Sequence, residues 1–161
     1  MQRAMSIFMV CLLVLATTPG FATSGAHFMS SSASVNSSGA LVVSWDEAGL
    51  GNGNINYTLT ADATATYACI NGGGNHPKAT NKETSAAQVS TGGSFQSKNG
   101  RVQASLTTGP LSAGSFACPS GQTLVLASVS YTNIVLTDTT NSVSSSLGDT
   151  SSCLVSIKGI C

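Results

Sequence analysis

Asn56-Tyr57-Thr58-Leu59-Thr60-Ala61-Asp62-Ala63-Thr64-Ala65-Thr66-Tyr67-Ala68-Cys69 is the stretch that decides the fold. Its odd positions carry Tyr57, Leu59, Ala61, Ala63, Ala65, Tyr67 and Cys69. Its even positions from 58 to 66 carry Thr58, Thr60, Asp62, Thr64 and Thr66. In an extended strand alternate side chains point to opposite faces, so this stretch has one apolar and one polar face. A helix would scatter the threonines around its cylinder. β-Branched and aromatic residues favour the strand as well. The spacing therefore predicts a long, half-buried strand with its cysteine end tied down.

The same two-residue period recurs on either side. Residues 27–35 read as an edge strand, followed by the turn cluster Asn36-Ser37-Ser38-Gly39. Leu41, Val43 and Trp45 then share one face, with Val42, Ser44 and Asp46 on the other. Trp45, the one tryptophan, is placed in the core. Residues 84–91 read as a weak strand. Ser94 to Leu106 reads as a hairpin, with Asn99-Gly100 as the two positive-φ residues of a type I′ turn. That register sets Lys98 opposite Arg101, Phe95 opposite Ala104 and Gly93 opposite Leu106. In residues 123–138, Val125, Ala127, Val129 and Tyr131 share one parity, and Ile134 and Leu136 take the other. Either a bulge near Thr132-Asn133 reconciles them, or the strand passes from one sheet to another. Ser142 to Ser152 reads as a loose, serine-rich stretch.

Seven or eight strands with turn signals between them predict an all-β, antiparallel β-sandwich. Tyr67-Ala68-Cys69 has the form of a tyrosine corner, but Trp45 precedes both Cys69 and Cys118. That order differs from immunoglobulin domains. "Immunoglobulin-like" therefore holds only in the loose architectural sense.

The chain's beginning reads as an export signal. Arg3 precedes the apolar run Ile7 to Ala16, which is shorter than the ~20 residues that span a bilayer. Cleavage is expected after Ala26, or after Ala22. Residues 1–26 are thus assigned as signal peptide, 27–141 as the β-sandwich domain, and 142–161 as a serine-rich segment with a C-terminal strand or tail. The expected address is secreted or extracellular, with no stable membrane insertion.

Charged residues make up only 7% of the chain, and the six basic and six acidic side chains balance. There is no basic field for nucleic acid or anionic lipid. Four cysteines follow the signal: Cys69, Cys118, Cys153 and Cys161. An even count in an exported chain implies disulfides. Of the three pairings, Cys69–Cys118 with Cys153–Cys161 is favoured. The second bond requires a turn at Lys158-Gly159, because an extended run of that length would hold the sulfurs too far apart.

No catalytic constellation stands out. Asp46 and Glu47 are adjacent and would point to opposite faces. Asp62, Glu83, Asp138 and Asp149 are scattered, and all six acids read as exposed, solubilising groups. No Gly-x-Ser-x-Gly elbow is present. A calcium site at residues 46–54 matches no EF-hand spacing.

If cleavage follows Ala26, His27 becomes the first residue, and its amino group and imidazole could chelate copper with His76 as a third nitrogen. This resembles the histidine brace of lytic polysaccharide monooxygenases and related copper-binding β-sandwich proteins. The resemblance implies copper as cofactor and His27 and His76 as metal ligands.

The threonine row could instead form a flat recognition face for a glycan or ice. Ligand contacts on rigid sandwiches concentrate in loops. That points to the Gly/Asn-rich segments 49–54 and 71–83, with Asn52, Asn54, Asn71 and Asn75 as binding residues. The expected function is a secreted, non-catalytic protein with an extracellular binding or cell-surface structural role. A glycan or a cell-surface protein is the expected partner, and no cofactor is expected. The alternatives are the copper protein, and a self-assembling surface subunit that pairs through the edge strand at 28–35.

Overall fold

The computed structural model of the chain describes residues 25–71 and 81–161. The strands follow in order: β1 (His27–Val35), β2 (Leu41–Ala48), β3 (Gly53–Asn71), β4 (Lys82–Ser97), β5 (Arg101–Thr108), β6 (Gln122–Asp138), β7 (Val143–Leu147) and β8 (Thr150–Cys153). They form two antiparallel sheets. One has the order β1-β2-β5, the other β4-β3-β6-β7. β8 also pairs with β6, at Ser128 to Tyr131.

β3 is the axis of the larger sheet. At ~3.3 Å per residue its 19 residues run about 60 Å. Tyr57, Leu59, Ala61, Ala63 and Ala65 are all buried, as the alternation requires, and the intervening threonines face outward. Leu41, Val43 and Trp45 of β2 and Val102 and Leu106 of β5 join them in one apolar cluster drawn from both sheets. β1 is an edge strand, as expected. In the turn after it, Asn36 Oδ1 accepts from the N–H groups of Ser38 and Ala40.

The Asn99-Gly100 turn forms with φ of 53° and 73°. Lys98 and Arg101 exchange both backbone hydrogen bonds across it. The pairing stops there, which corrects the expected Phe95–Ala104 register. β4 continues alongside β3 and is longer than residues 84–91. β5 continues alongside β2. Each arm finds a complete ladder in a different sheet, and stacked sheets lie ~10 Å apart, so the turn becomes a corner between sheets. The Gly93–Leu106 proximity survives: a Cβ on Gly93 would lie 3.2 Å from Leu106 Cδ2.

In β6 the parity change is resolved by a bulge at Asn133, whose φ is 51°. The register with β3 shifts between Thr60 and Asp62. The strand stays in one sheet, so of the two expected routes the bulge is the one taken. Val129 and Tyr131 before it and Ile134 and Leu136 after it all face the core.

The serine-rich stretch is not loose. β7 and β8 both form on β6, whose free edge they cover. Polar side chains did not prevent pairing, because the ladder needs only backbone groups.

Both expected disulfides are present, Cys69–Cys118 and Cys153–Cys161, with Cα separations of 5.5 and 5.8 Å. Gly159, at φ 87°, makes the turn that the second one needs. Disulfides persist in oxidising compartments. Among the described residues no helix is long and apolar enough to cross a membrane. Both facts are compatible with an extracellular protein. Residues 1–24, which hold most of the expected export signal, lie outside the described residues.

Candidate functional site

The outer face of the larger sheet is a lattice of hydroxyls centred on β3. Thr58 lies between Gly92 and Thr137, and Thr60 between Ser90 and Val135. Farther along, Thr64 lies between Ala86 and Ser130, and Thr66 between Thr84 and Ser128. β7 and β8 extend the rows with Ser144, Ser146 and Ser151. Strand geometry sets the spacing at ~6.6 Å along each strand and ~4.8 Å between strands. The hydroxyls bond to one another at Thr66–Thr84 (3.2 Å) and Thr137–Ser144 (3.0 Å). One charge interrupts these rows, Asp62, and its Oδ2 accepts from Asn133 Nδ2 at 2.8 Å.

The lattice ends in a wall. Ala68 shares the face of Thr66, and segment 154–161 folds over it, with Ile157 buried against Ala68 and Ala127. Where hydroxyls meet wall there is a shallow depression of about 330 Å³. Thr64, Thr66, Ser128 and Ser151 line its floor, and Ile160 and the Cys153–Cys161 bridge line its side. Each hydroxyl can donate and accept, and the wall offers apolar contact. This suits contact with a neutral, hydroxyl-bearing group.

The inner face carries the surprise. Glu47 and Asp138 are both fully buried, which corrects their reading as exposed carboxylates. Glu47 continues the parity of Leu41, Val43 and Trp45. Asp138 continues that of Ile134 and Leu136. That extension was visible in the sequence; polarity alone argued against it. Asp138 is satisfied by the turn that follows: its Oδ1 accepts from the N–H groups of Thr140 and Asn141 (2.8 and 3.0 Å), and its Oδ2 from Asn141 Nδ2 (2.6 Å).

Glu47 has no such turn. Neither of its oxygens stands in hydrogen-bond geometry with a partner, nor do Trp45 Nε1 and the Tyr57 hydroxyl. Burial pushes the Glu47 carboxyl up to about 7, and the Asp138 charge adds to the rise, while the Tyr57 hydroxyl opposes it. Burial also raises the Tyr57 phenol. The rings of Trp45 and Tyr57 lie 4.7 Å apart, and Phe95 packs edge-on against Trp45 at 5.2 Å.

On the outer face of the smaller sheet, Asp46 accepts from Arg101 and from Gln103 Nε2 at 2.7 Å. Arg101 holds its carboxyl down at about 2, with Gln103 adding to the effect. The two neighbours Asp46 and Glu47 thus sit on opposite faces, as read, with opposite shifts.

The loop residues fall apart in space. Asn52 and Asn54 are exposed at the start of β3 and Asn71 at its other end. About 60 Å of strand separates Asn52 and Asn54 from Asn71. Asn75 and His76 lie outside the described residues. His27 pairs with Ala48 at the β3-start end, and its Nε2 lies 3.2 Å from Met29 Sδ. Among the described residues no group of three or more His, Cys, Asp and Glu side chains could hold a metal. Compared with protein-family models, curated proteins and solved structures, the chain matches none of them.

Proposed function

We propose that this chain is an exported, non-catalytic β-sandwich domain, loosely immunoglobulin-like. Its role is to bind, or to form part of, the cell surface. Residues of both sheets contribute to one buried cluster, which supports the sandwich reading. The working surface is the outer face of the larger sheet, and its ligand is a neutral, hydroxyl-bearing polymer such as a polysaccharide.

One observation carries this reading: five strands align hydroxyl side chains in register on a face whose charges are Asp62 within the rows and Lys82 at their end, and the rows stop at a half-apolar wall. A solubilising face would serve as well with scattered lysines and glutamates, of which these rows carry only Lys82, at their end. Copper through His27 and His76, and strand pairing through residues 28–35, remain rival proposals that this face does not require.

The test is a glycan-array and insoluble-polysaccharide pull-down with the full chain, Thr64→Lys and Ser130→Lys. Both side chains are half-buried on the outer ladder and face away from the core, so a Tm within about 2 °C of the parent is expected, as for most surface substitutions. Binding should fall at least about tenfold, a loss of ~1.4 kcal/mol. Binding unchanged by both substitutions, or lost only when residues 49–54 are altered, would sink the proposal.

A further inference from the structure

Glu47 lies where five strands converge. On its own strand, β2, Trp45 precedes it on the same face. β1 places Phe28 opposite it in the ladder and brings the His27 charge near. β5 places the apolar Val102 opposite it from the other side. From the larger sheet come the Tyr57 hydroxyl on β3 and the Asp138 carboxyl on β6, themselves cross-strand partners. Arg101, the nearest cation along β5, is engaged with Asp46 on the outer face. The His27 ring is exposed and turned toward Gly25 O and Met29 Sδ. The His27 charge is the smallest of the influences on Glu47, and no ion pair joins the two.

A buried carboxylate without a partner costs several kcal/mol, whereas the neutral acid can remain. Loop 49–52 hangs on a backbone bond from Leu50, whereas the turn after Asp138 is tied more firmly, to the Asp138 carboxylate and through Thr139 Oγ1 and Thr140 Oγ1 to Asn56. Leu50 N–H donates to Gly100 O, and Thr139 N–H to Asn56 O.

We propose that Glu47 is a proton-operated latch between the two sheets at the Tyr57 end. Protonated, it lets the aromatic cluster close over it. Ionised, it loosens β1's first residues, loop 49–52 and the turn after Asp138, while the Cys69 end stays shut.

The direction follows from linkage. The acid ionises near 4.5 in the unfolded chain and near 7 in the folded one. Between those values the folded chain holds the extra proton, so stability falls as pH rises. The contribution is fully present below about 4.5 and lost by the time pH has passed about 7.

The test compares the full chain with Glu47→Gln, by Tm from pH 4.5 to 8.5 and by amide exchange corrected for intrinsic rates. The parent Tm should drop by roughly 5–10 °C across that range, and Glu47→Gln should show less than half the drop. Amides of Phe28, Leu50 and Thr139 should exchange at least about tenfold faster at pH 8 than at pH 5, and those of Cys69 and Leu124 should not. A carbon-detected NMR titration of the parent keeps the idea testable if the variant fails to fold. A Glu47 midpoint near 7 supports the latch; a midpoint near 4.5, equal slopes in the two proteins, or uniform exchange at both ends overturns it.

Discussion

The two ends of β3 are built on different principles. At the Tyr57 end both sheets contribute to one buried cluster, and Trp45, Tyr57, Phe95 and Phe28 pack there ring against ring. At the Cys69 end no smaller sheet remains. β1, β2 and β5 are eight or nine residues long, and β3 is nineteen. The exposed remainder is covered by irregular chain on both faces. On the inner face lies the β5–β6 connection, where Tyr67 donates its hydroxyl to Leu111 O and Cys118 is bonded to Cys69. On the outer face lies segment 154–161, bonded through Cys161 to Cys153. Irregular chain buries little apolar surface for the entropy it loses on ordering. A cross-link reduces the entropy of the unfolded chain instead, which explains sulfur at one end and rings at the other.

Truncating Trp45 tests the ring-built end. Trp45→Ala removes a buried indole that contacts two other rings, and the expected cost is about 5 kcal/mol by urea unfolding. Local exchange should rise first at the Tyr57 end. A cost under about 2 kcal/mol would mean that the smaller sheet is held by something other than this cluster.

Replacing Cys69 and Cys118 together by serine should cost about 4 kcal/mol, from opening a loop of 49 residues. Limited proteolysis should then cut between 109 and 121 while amides near Tyr57 stay protected. If protection is lost equally at both ends, the two ends unfold as one unit and the contrast between them fails.

The smallest effect is expected from the short loop. Cys153→Ser with Cys161→Ser opens only eight residues, and about 2.5 kcal/mol is expected. The exposed outer face of Ala68 should then bind a hydrophobic dye that the parent does not. No dye binding would show that Ile157 stays docked without the bridge.

Much of this was legible in the residues. The odd and even positions of β3 and the Asn99-Gly100 turn follow from local rules, and the Asn133 bulge and both disulfides were each among the alternatives those rules left open. Local rules failed at three places. The hairpin arms separate because each has a better ladder elsewhere. The serine-rich stretch pairs because β6 offers it an edge. Glu47 and Asp138 are buried because strand parity overrides side-chain polarity once the neighbouring positions are fixed in the core. The hydroxyl face was half visible: the β3 row could be read, but its neighbours on β4, β6, β7 and β8 come from distant sequence.

By itself the sequence determined what each strand shows to its two sides, since side-chain alternation is a property of the extended backbone. It also determined where the chain turns, and it favoured one of three cysteine pairings without fixing it. Only the tertiary structure decided which strands are neighbours, and hence that scattered serines and threonines lie in register and that one glutamate is buried beside Tyr57 and Asp138 with no ion pair. Those outcomes depend on long-range pairing, in which the unpaired edges of the whole chain compete for the same hydrogen bonds.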